Sequence, residues 1–347
     1  MEERQIRTAM VTGSAGAGGS YMLEYIAKHH QTVGIVGIAR AGAQGFVNNK
    51  NWEDFKKMSV WRGFHFYSCD FSDVAAWKGI LLRTLPDVIF HLASDANVRE
   101  SYDRPSYVYR NNIEFCGSNF FEGIRRAKLQ NASFDPIVQH CSTSEVYGQV
   151  RPEDVPIKET HPKNVLSPYG ISKVAQDSIA ESYGKFGLKI IRTRMFTYIN
   201  PRRSNLFASA FAMQVARIES GLQAVLTHGN LDSVRTIIDV RDAMDSYWIA
   251  VQKCRFGEAY NIGGKRTISV GEFLEVLKSK AHCTIATKID PALLRPSDVT
   301  LQIPDTSKFE SETGWQPKYS FEESVEHLLD HCRHEVFCEI ANAIEEG

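Results

Sequence analysis

Three glycines spaced three residues apart follow the first apolar segment of the chain. Residues 6–12 have the pattern of a β-strand, Gly13, Gly16 and Gly19 come next, and residues 21–27 have the pattern of a helix. A turn of this kind brings backbone close to a pyrophosphate, which lies at the helix N-terminus where N–H groups are unpaired. The spacing therefore predicts a dinucleotide site at the first turn of a parallel α/β sheet. A glycine-rich loop without a ligand is the alternative.

Strand and helix patterns then alternate as far as residue 194. The strand patterns lie at 32–39, 64–69, 87–91, 136–142 and 188–194, and the helix patterns lie at 52–58, 73–84, 106–129 and 168–186. Alternation of this kind places parallel strands in one sheet with helices on both faces. The sequence therefore predicts an α/β fold with a Rossmann-type doubly wound parallel sheet.

The pattern changes after residue 196, where shorter helices and polar turns follow. A strand pattern at 259–262 indicates a return to the main sheet. We therefore predict a smaller C-terminal α/β domain that binds substrate. The expected division is a dinucleotide-binding Rossmann domain over 1–196 with a returning segment near 236–264, a substrate domain over 197–235 and 265–335, and a C-terminal tail over 336–347.

The residue at the end of the second strand indicates which dinucleotide is bound. Folds that bind NAD usually have Asp or Glu there, about 20 residues after the glycines, to bind the ribose 2′-hydroxyl. This chain has Arg40 at that place and no acid nearby. An arginine can pair with a 2′-phosphate, so we favour NADP over NAD, the alternative being an arginine that only faces solvent. Asp70, followed by Phe71, ends the third strand and is well placed for the adenine edge.

A tyrosine and a lysine share one face of the helix pattern at 168–186. Ser167 is a good N-cap and Pro168 suits the first helical position, which places Tyr169 and Lys173 four residues apart near the helix start. A nearby cation favours a phenolate, so we expect Lys173 to lower the pKa of Tyr169. The pair is a candidate acid/base beside a group that can hold a ribose. A surface tyrosine with a solvated lysine is the alternative.

Two further strands end in polar residues at the edge where such sheets bind ligands. The fourth strand ends at His91-Leu92-Ala93-Ser94, and the fifth is followed by Thr143-Ser144-Glu145. If the backbone stays extended, residues 143 and 145 point the same way and present a hydroxyl and a carboxylate to one cleft. A turn that only caps the next segment is the alternative, and a lone His91 is more often structural than catalytic.

Arginines in turns of the C-terminal part indicate an anionic substrate. Arg202, Arg203, Arg235 and Arg295 occupy polar turns, as a phosphate clamp requires. Any one of these arginines is better explained as a surface charge. Together they make a phosphate-bearing substrate a reasonable expectation.

Overall charge and cysteine content exclude several classes of function. The 347 residues have a formal net charge of −1, so no basic field for nucleic acid or an anionic membrane is expected. No apolar run approaches the length of a membrane span. The seven cysteines are scattered and form no Cys-x-x-Cys, so we expect neither a disulfide framework nor a metal site. We predict a cytoplasmic protein.

The motifs taken together resemble a known family. Four motifs resemble those of extended short-chain dehydrogenases/reductases. They are Thr12-Gly13-x-x-Gly16-x-x-Gly19, His91-Leu92-Ala93-Ser94, Ser142-Thr143-Ser144-Glu145-x-Tyr147-Gly148 and Ser167-Pro168-Tyr169-x-x-x-Lys173. Four further segments look most like those of GDP-mannose 4,6-dehydratases. They are Gly19-Ser20-Tyr21, Pro201-Arg202-Arg203, Gly229-Asn230-x-Asp232-Ser233-x-Arg235 and Arg295-Pro296-Ser297-Asp298. The similarity extends over about residues 6–335.

The resemblance implies an NADP-dependent GDP-sugar 4,6-dehydratase, assembled as a homodimer or homotetramer, with a tightly bound and recycled cofactor. Tyr169 would take the C4 hydroxyl proton, Thr143 would hydrogen-bond that oxygen, Lys173 would hold the ribose, and Glu145 would remove the C5 proton and help the C6 hydroxyl leave. The implied cofactor residues are Gly13, Gly16, Ala17, Gly18, Gly19, Arg40, Asp70, Phe71, Leu92, Ala93, Ser94, Tyr169 and Lys173. The implied substrate residues are Thr143, Ser144, Arg203, Arg235, Arg295 and Asp298.

Three departures from the family pattern concern the sugar and nucleotide side. Thr197 and Tyr198 stand where the mannose enzymes have Asn and His, Asp95 stands for a glutamine, and Phe211 stands for a lysine. The hexose therefore need not be mannose, and a heptose is an alternative. Parts of the C-terminal half are as similar to GDP-4-keto-6-deoxymannose reductases, so a C4 oxidoreductase, either a dehydrogenase or a 4-keto reductase, is the alternative reaction. A 4-epimerase and a non-catalytic dinucleotide sensor are further alternatives.

Overall fold

The computed structural model describes residues 4–40, 64–294 and 299–345. The strands, in chain order, are β1 (Thr8–Thr12), β2 (Gly34–Ala39), β3 (Phe64–Ser68), β4 (Val88–His91), β5 (Ile137–Thr143), β6 (Lys189–Met195), β7 (Tyr198–Ile199), β8 (Leu226–His228), β9 (Val234–Asp239), β10 (Ala259–Ile262), β11 (Arg266–Ser269), β12 (Thr287–Ile289) and β13 (Leu301–Gln302). The main sheet has the order β10-β6-β5-β4-β1-β2-β3, and all its pairings are parallel. This order confirms the predicted doubly wound sheet.

The α-helices of the described ranges are α1 (Ala17–His29), α2 (Val74–Thr84), α3 (Val98–Asp103), α4 (Pro105–Tyr109), α5 (Phe120–Gln130), α6 (Pro168–Lys185), α7 (Phe207–Glu219), α8 (Val240–Lys253), α9 (Val270–Ser279), α10 (Ser307–Thr313) and α11 (Phe321–Glu345). The long helix expected at 106–129 is interrupted, because Arg110–Asn119 forms a π-helix between α4 and α5. The helix expected at 52–58 lies outside the described residues.

Alternate residues of the central strands face opposite sides of the main sheet. Ala9 and Val11 pack with α1 and α8 in one core, whereas Met10 packs with α2, α5 and α6 in another. Phe90 and Ile89 divide between the same two cores. Because both faces are covered by helices, the strands are apolar at successive positions.

The carboxyl ends of the central strands lie at the same edge of the sheet. β1, β4 and β5 are in register at Thr12, His91 and His140. The glycine turn after β1 and the segments after β4 and β5 therefore meet at this edge, where ligands bind in doubly wound sheets.

The C-terminal part of the chain forms two smaller sheets and their own core. β9 pairs with β11, β13 and β7, and β8 pairs with β12. Apolar side chains of α7, α9 and α11 enclose this region in a separate core. The strand predicted at 259–262 is β10, which returns to the main sheet beside β6. The division into two domains at the stated boundaries stays a prediction.

The last helix extends into the residues that the expected division placed in a C-terminal tail. Residues 336–345, which the sequence assigned to a tail, continue α11, and Val336 within them is buried. The described residues include no helix with the length and apolar character that crossing a membrane requires.

Candidate active site

The glycine turn has the geometry that close approach to a ligand requires. Gly13 has φ +69°, and a Cβ there would lie 2.9 Å from the Ala93 backbone. A Cβ on Gly19 would lie 2.0 Å from the Gly13 carbonyl oxygen, so this glycine allows α1 to pack on the turn. Gly16 is the N-cap of α1 and offers no side chain to the first-turn N–H groups. These groups are therefore suited to an external anion.

A cavity of about 200 Å³ extends from this turn to the end of β2. The predicted cofactor residues that line it are Gly13, Gly16, Arg40, Asp70, Phe71, Leu92, Ala93 and Ser94. Arg40 donates through Nη1 to Asn111 Oδ1 over 3.0 Å and to Tyr107 Oη over 3.4 Å. The guanidinium is thereby held at the mouth of this cavity.

A second cavity, of about 270 Å³, adjoins the first and shares Gly13, Gly16, Leu92 and Ser94 with it. The other predicted residues lining it are Ala17, Gly18, Gly19, Thr143, Ser144, Glu145, Tyr169, Lys173 and Arg203. The glycine turn, an uncapped helix N-terminus and these two cavities form one continuous groove. Its glycines and its helix N-terminus fit the pyrophosphate of a dinucleotide.

Tyr169 and Lys173 take the predicted places at the start of α6. Ser167 Oγ accepts a hydrogen bond from Gly170 N over 2.9 Å, and Pro168 is the first helical residue. Both predicted catalytic side chains are buried. Lys173 donates from Nζ to the Cys141 carbonyl oxygen over 2.8 Å.

The expected lowering of the Tyr169 pKa by Lys173 is wrong. Burial raises the pKa of Tyr169 above its usual range, and the main cation opposing that rise is Arg203. Burial also lowers the pKa of Lys173. A hydrogen-bonding interaction with Thr143 acts in the same direction as Arg203, but desolvation of the phenol outweighs both.

The backbone after β5 is not extended. Ser144–Tyr147 forms a 3₁₀ turn, and Thr143 Oγ1 accepts a hydrogen bond from Glu145 N over 3.3 Å. The reason given for Thr143 and Glu145 pointing the same way is therefore wrong. Both side chains nevertheless line the cavity of about 270 Å³, because the turn curls Glu145 back towards the strand end.

One residue of this cavity carries no sequence signal. Gln302 on β13 donates from Nε2 to Glu145 Oε1 over 2.7 Å. It lies within an ordinary apolar segment, Leu301-Gln302-Ile303, and reaches the site only because β13 pairs with β9. Sequence reasoning missed it for that reason.

A third cavity, of about 660 Å³, shares Ala96, Val98, Arg203 and Leu206 with the second. Arg235 lines it and donates through Nη2 to the Val299 carbonyl oxygen over 2.6 Å. Arg203 lies between the two cavities and donates through Nη2 to the Ala96 carbonyl oxygen over 2.7 Å.

The remaining arginines of the expected clamp are placed differently. Arg202 donates to Ser20 Oγ over 3.1 Å and forms an ion pair with Glu24, and it does not line this large cavity. Arg295 and Asp298 lie outside the described residues. Two of the expected arginines, Arg203 and Arg235, therefore line the space beside the predicted catalytic residues.

His91 has a structural place beneath the groove. Its Nε2 is 2.7 Å from the Cys116 carbonyl oxygen, so it donates there, and Nδ1 accepts from Thr12 Oγ1 over 2.8 Å. Burial lowers its pKa to about 3. The imidazole is therefore neutral, and both of its nitrogens are hydrogen-bonded to Thr12 and Cys116.

No group of three His, Cys, Asp or Glu side chains suited to a metal ion occurs within the described part of the chain.

Similarity to known proteins extends over most of the chain. A family model described as GDP-mannose 4,6 dehydratase matches residues 10–328. GDP-6-deoxy-D-mannose reductase of Pseudomonas aeruginosa is 29% identical over 258 residues, which are 72% of this chain and 82% of that protein. GDP-mannose 4,6 dehydratase 1 of Arabidopsis thaliana is 27% identical over 334 residues, which are 93% of this chain and 89% of that protein.

Among solved structures, RMD from Pseudomonas aeruginosa complexed with NADPH is similar with a TM-score of 0.77. It is 23% identical in sequence, and the similarity covers 95% of this chain and 99% of that chain. This likeness establishes the fold.

Proposed function

The chain belongs to the GDP-mannose 4,6 dehydratase family, and we propose that it is an NADP-dependent GDP-sugar 4,6-dehydratase. The substrate is a GDP-hexose or a GDP-heptose, and the product is the corresponding GDP-4-keto-6-deoxy sugar. The cofactor stays bound and is regenerated in each cycle.

The observation that carries the proposal is a second candidate base on the cavity that holds Tyr169. Glu145 and Tyr169 both line the space of about 270 Å³, with Thr143 and Lys173 beside them. Oxidation at C4 needs only one base. Elimination of water across C5 and C6 needs another, and Glu145 supplies it.

The chemistry supplied by a bound nicotinamide cofactor is the removal of hydride from C4 and its return to C6. Tyr169 takes the proton of the C4 hydroxyl, and Arg203 and Thr143 favour the phenolate that does so. The resulting 4-ketone acidifies the C5 proton. Glu145 removes that proton, the electron pair forms the C5–C6 double bond, and the C6 oxygen leaves as water after taking the proton from Glu145. Hydride returned to C6 and a solvent proton taken up at C5 saturate that double bond, and Tyr169 releases to solvent the proton it took from the C4 hydroxyl, so that atoms and electrons balance.

NADP is proposed over NAD because Arg40 occupies the end of β2. Its guanidinium lines the cavity at the adenosine side, held by Asn111, where an arginine pairs with a 2′-phosphate. The glycines of the first turn would hold the pyrophosphate.

We propose that the cavity of about 660 Å³ binds the nucleoside diphosphate part of the substrate. Arg203 and Arg235, which line this cavity, would lie towards the phosphates. Phe207 and Phe211 line the same cavity and offer apolar surface to the base. Because Phe211 stands where a lysine is expected, and Thr197 and Tyr198 border the sugar side, the sugar need not be mannose.

A C4 oxidoreductase acting on a similar GDP-sugar is the second candidate. It is favoured by the similarity to GDP-6-deoxy-D-mannose reductase at 29% identity. Such an enzyme requires Tyr169 and Lys173 and has no need of Glu145.

Product mass and cofactor absorbance distinguish the two reactions. The purified protein is incubated with GDP-mannose and, separately, with a GDP-heptose. A dehydratase releases a product lighter by a molecule of water with no net change in nicotinamide absorbance. Stoichiometric consumption of cofactor without loss of water would contradict the dehydratase and support the oxidoreductase.

A substitution at Glu145 tests its assigned role. We expect Glu145→Gln to abolish solvent-deuterium uptake at C5 while hydride removal from C4 partly survives. The exposed Glu153→Gln is the control, since Glu153 pairs with Arg151 at the surface. Unchanged exchange at C5 in Glu145→Gln would remove Glu145 from this role.

Assembly and location are proposed from the family resemblance and from the cysteines. The family resemblance supports a homodimer or homotetramer, which light scattering measures. All seven cysteines carry free thiols, a pattern typical of the reducing cytoplasm, which cell fractionation tests.

A further inference from the structure

Three side chains from distant parts of the chain form a hydrogen-bonded series that ends at Glu145. Thr197 Oγ1 donates to Gln302 Oε1 over 3.2 Å, and Gln302 Nε2 donates to Glu145 Oε1 over 2.7 Å. Thr197, Gln302 and Glu145 all line the cavity of about 270 Å³. The series therefore lies within the site and not beside it.

The orientation of the Gln302 amide follows from its neighbours. A carboxylate only accepts hydrogen bonds, so the amide NH₂ has to face Glu145 and the amide oxygen has to face Thr197. Gln302 is 3% exposed. A buried amide is costly to leave unpaired, so rotation of this group away from Glu145 is opposed by both of its partners.

The backbone around Gln302 is anchored on both sides. Leu301 and Gln302 pair with Val234 and Arg235 of β9. The next residue, Ile303, accepts a hydrogen bond at its carbonyl oxygen from Ile157 N over 2.8 Å. The amide thus reaches Glu145 from a fixed point across the cleft.

Resting on the proposed dehydratase function, we propose that Gln302 is a positioning residue for Glu145. By donating to Oε1, it leaves Oε2 as the oxygen that takes the C5 proton and passes it to the departing C6 hydroxyl. Within the described ranges, Oε2 makes no hydrogen bond to another side chain or to the backbone. The C5–H bond breaks, the proton moves to Oε2, its electron pair forms the C5–C6 double bond, and the proton leaves with the C6 oxygen as water.

A structural role for Gln302 predicts a different outcome. If the amide only linked β13 to the end of β5, its loss would lower thermal stability and would impair every step in the site alike. A positioning role impairs proton transfer at C5 and leaves hydride removal at C4 nearly intact, because C4 chemistry depends on Tyr169.

The test compares the two steps in Gln302→Met, which keeps the length of the side chain and removes the donor. Exchange at C5 is followed in deuterium oxide by mass spectrometry, and hydride removal from C4 by nicotinamide absorbance in a single turnover. Since a hydrogen bond to a charged group contributes about 1.5–3 kcal/mol, we expect C5 exchange to fall by roughly 10–100-fold. Hydride removal should change by less than about threefold and KM should be nearly constant.

Gln316→Met is the matched control, because Gln316 also donates from Nε2 to a carboxylate, that of Glu310 over 2.9 Å, on an exposed surface. Thermal unfolding reports whether each variant folds. If Gln302→Met does not fold, Thr197→Val/Gln302→Met carries the test, because it also removes the Thr197 hydroxyl that would lose its acceptor, while the donor to Glu145 is still absent.

The outcomes separate this inference from the proposed function. Unaffected C5 exchange, or equal loss of both steps, in a folded Gln302 variant overturns the positioning role while the wild-type dehydratase reaction stands. Wild-type protein that shows no exchange at C5 overturns the dehydratase proposal and this inference together.

Discussion

The ammonium of Lys173 donates a hydrogen bond to the carbonyl oxygen of Cys141 over a distance of 2.8 Å. This contact ties α6 to β5, the strand that leads into Thr143 and Glu145. Lys173 is therefore bound to the backbone beneath the site, and Arg203, from a different part of the chain, is the main cation that favours the Tyr169 phenolate. The cation beside the phenol is therefore Arg203 and not the expected Lys173, and ribose binding by Lys173 stays a prediction.

Replacement of Arg203 by Gln should shift the pH dependence of C4 oxidation. Burial raises the pKa of Tyr169 and Arg203 opposes that rise, so losing this cation raises the pKa further. A base acts when deprotonated, hence the rising limb of the pH profile should move to higher pH. The profile of kcat for hydride removal measures the shift.

Arg202→Gln serves as the control for Arg203. Arg202 is its neighbour in sequence but pairs with Glu24 and Ser20, so its loss should leave the position of the limb unchanged. Equal shifts in the two variants would show that Arg203 has no specific effect on Tyr169.

Replacement of Arg40 by Ala should discriminate between the two dinucleotides. Losing the charged donors at the end of β2 should weaken NADP binding by roughly 10–100-fold, as expected for about 1.5–3 kcal/mol, and should change NAD binding little. Fluorescence titration with each dinucleotide measures this. Arg110→Ala, an exposed arginine beside Glu114, is the control, and equal losses for NADP and NAD would refute the 2′-phosphate assignment.

Replacement of Gly13 by Ala should impair dinucleotide binding as well as stability. Gly13 has φ +69° and a Cβ would meet the Ala93 backbone at 2.9 Å, whereas Gly314 has the same φ of +69° and no atom within 4 Å. Gly314→Ala should therefore lower the free energy of unfolding only by the cost of holding alanine in the left-handed conformation, about 1–2 kcal/mol. Urea unfolding should show a larger loss of stability in Gly13→Ala than in Gly314→Ala. NADP titration should show a loss of affinity in Gly13→Ala and none in Gly314→Ala.

Replacement of Asp177 by Asn should destabilise the fold in a pH-dependent way. Burial by itself would raise the pKa of Asp177, but Arg194 and Arg192 lower it well below its usual range. The carboxylate therefore stabilises the folded state above its unfolded pKa of about 3.9, and this contribution is lost as the pH falls. We expect a cost of about 3–5 kcal/mol at pH 7.

The pH dependence is checked by urea unfolding of the wild type and Asp177→Asn between neutral and acidic pH. The difference in unfolding free energy should narrow as the pH falls below about 4. A difference that stays constant over this range would mean that the charge of Asp177 is not the source of the effect.

Much of the groove was predictable from short motifs, because neighbouring residues are held by local geometry. Gly13, Gly16 and Gly19 form the turn at the start of α1, and Tyr169 and Lys173 lie one helical turn apart behind the Ser167 cap. Parallel strands bring their carboxyl ends to one edge, so the segments after β1, β4 and β5 meet there as expected.

Other features depended on contacts that no local pattern records. The 3₁₀ turn at Ser144–Tyr147 replaced the expected extended backbone. Gln302 lies 157 residues from Glu145 in the chain, and the pairing of β13 with β9 brings them together. Long-range pairing of this kind leaves no spacing in the sequence to detect.

Short patterns were enough to predict the type of fold, the position of the glycine turn and the residues at the ends of the strands, since alternation and helical spacing are local properties. The electrostatics of Tyr169 and the hydrogen bond between Gln302 and Glu145 became visible only in the folded chain. Burial reverses the expected direction of the Tyr169 pKa. Desolvation and cross-chain hydrogen bonds depend on which segments pack together in space, and that is set by the folded chain as a whole.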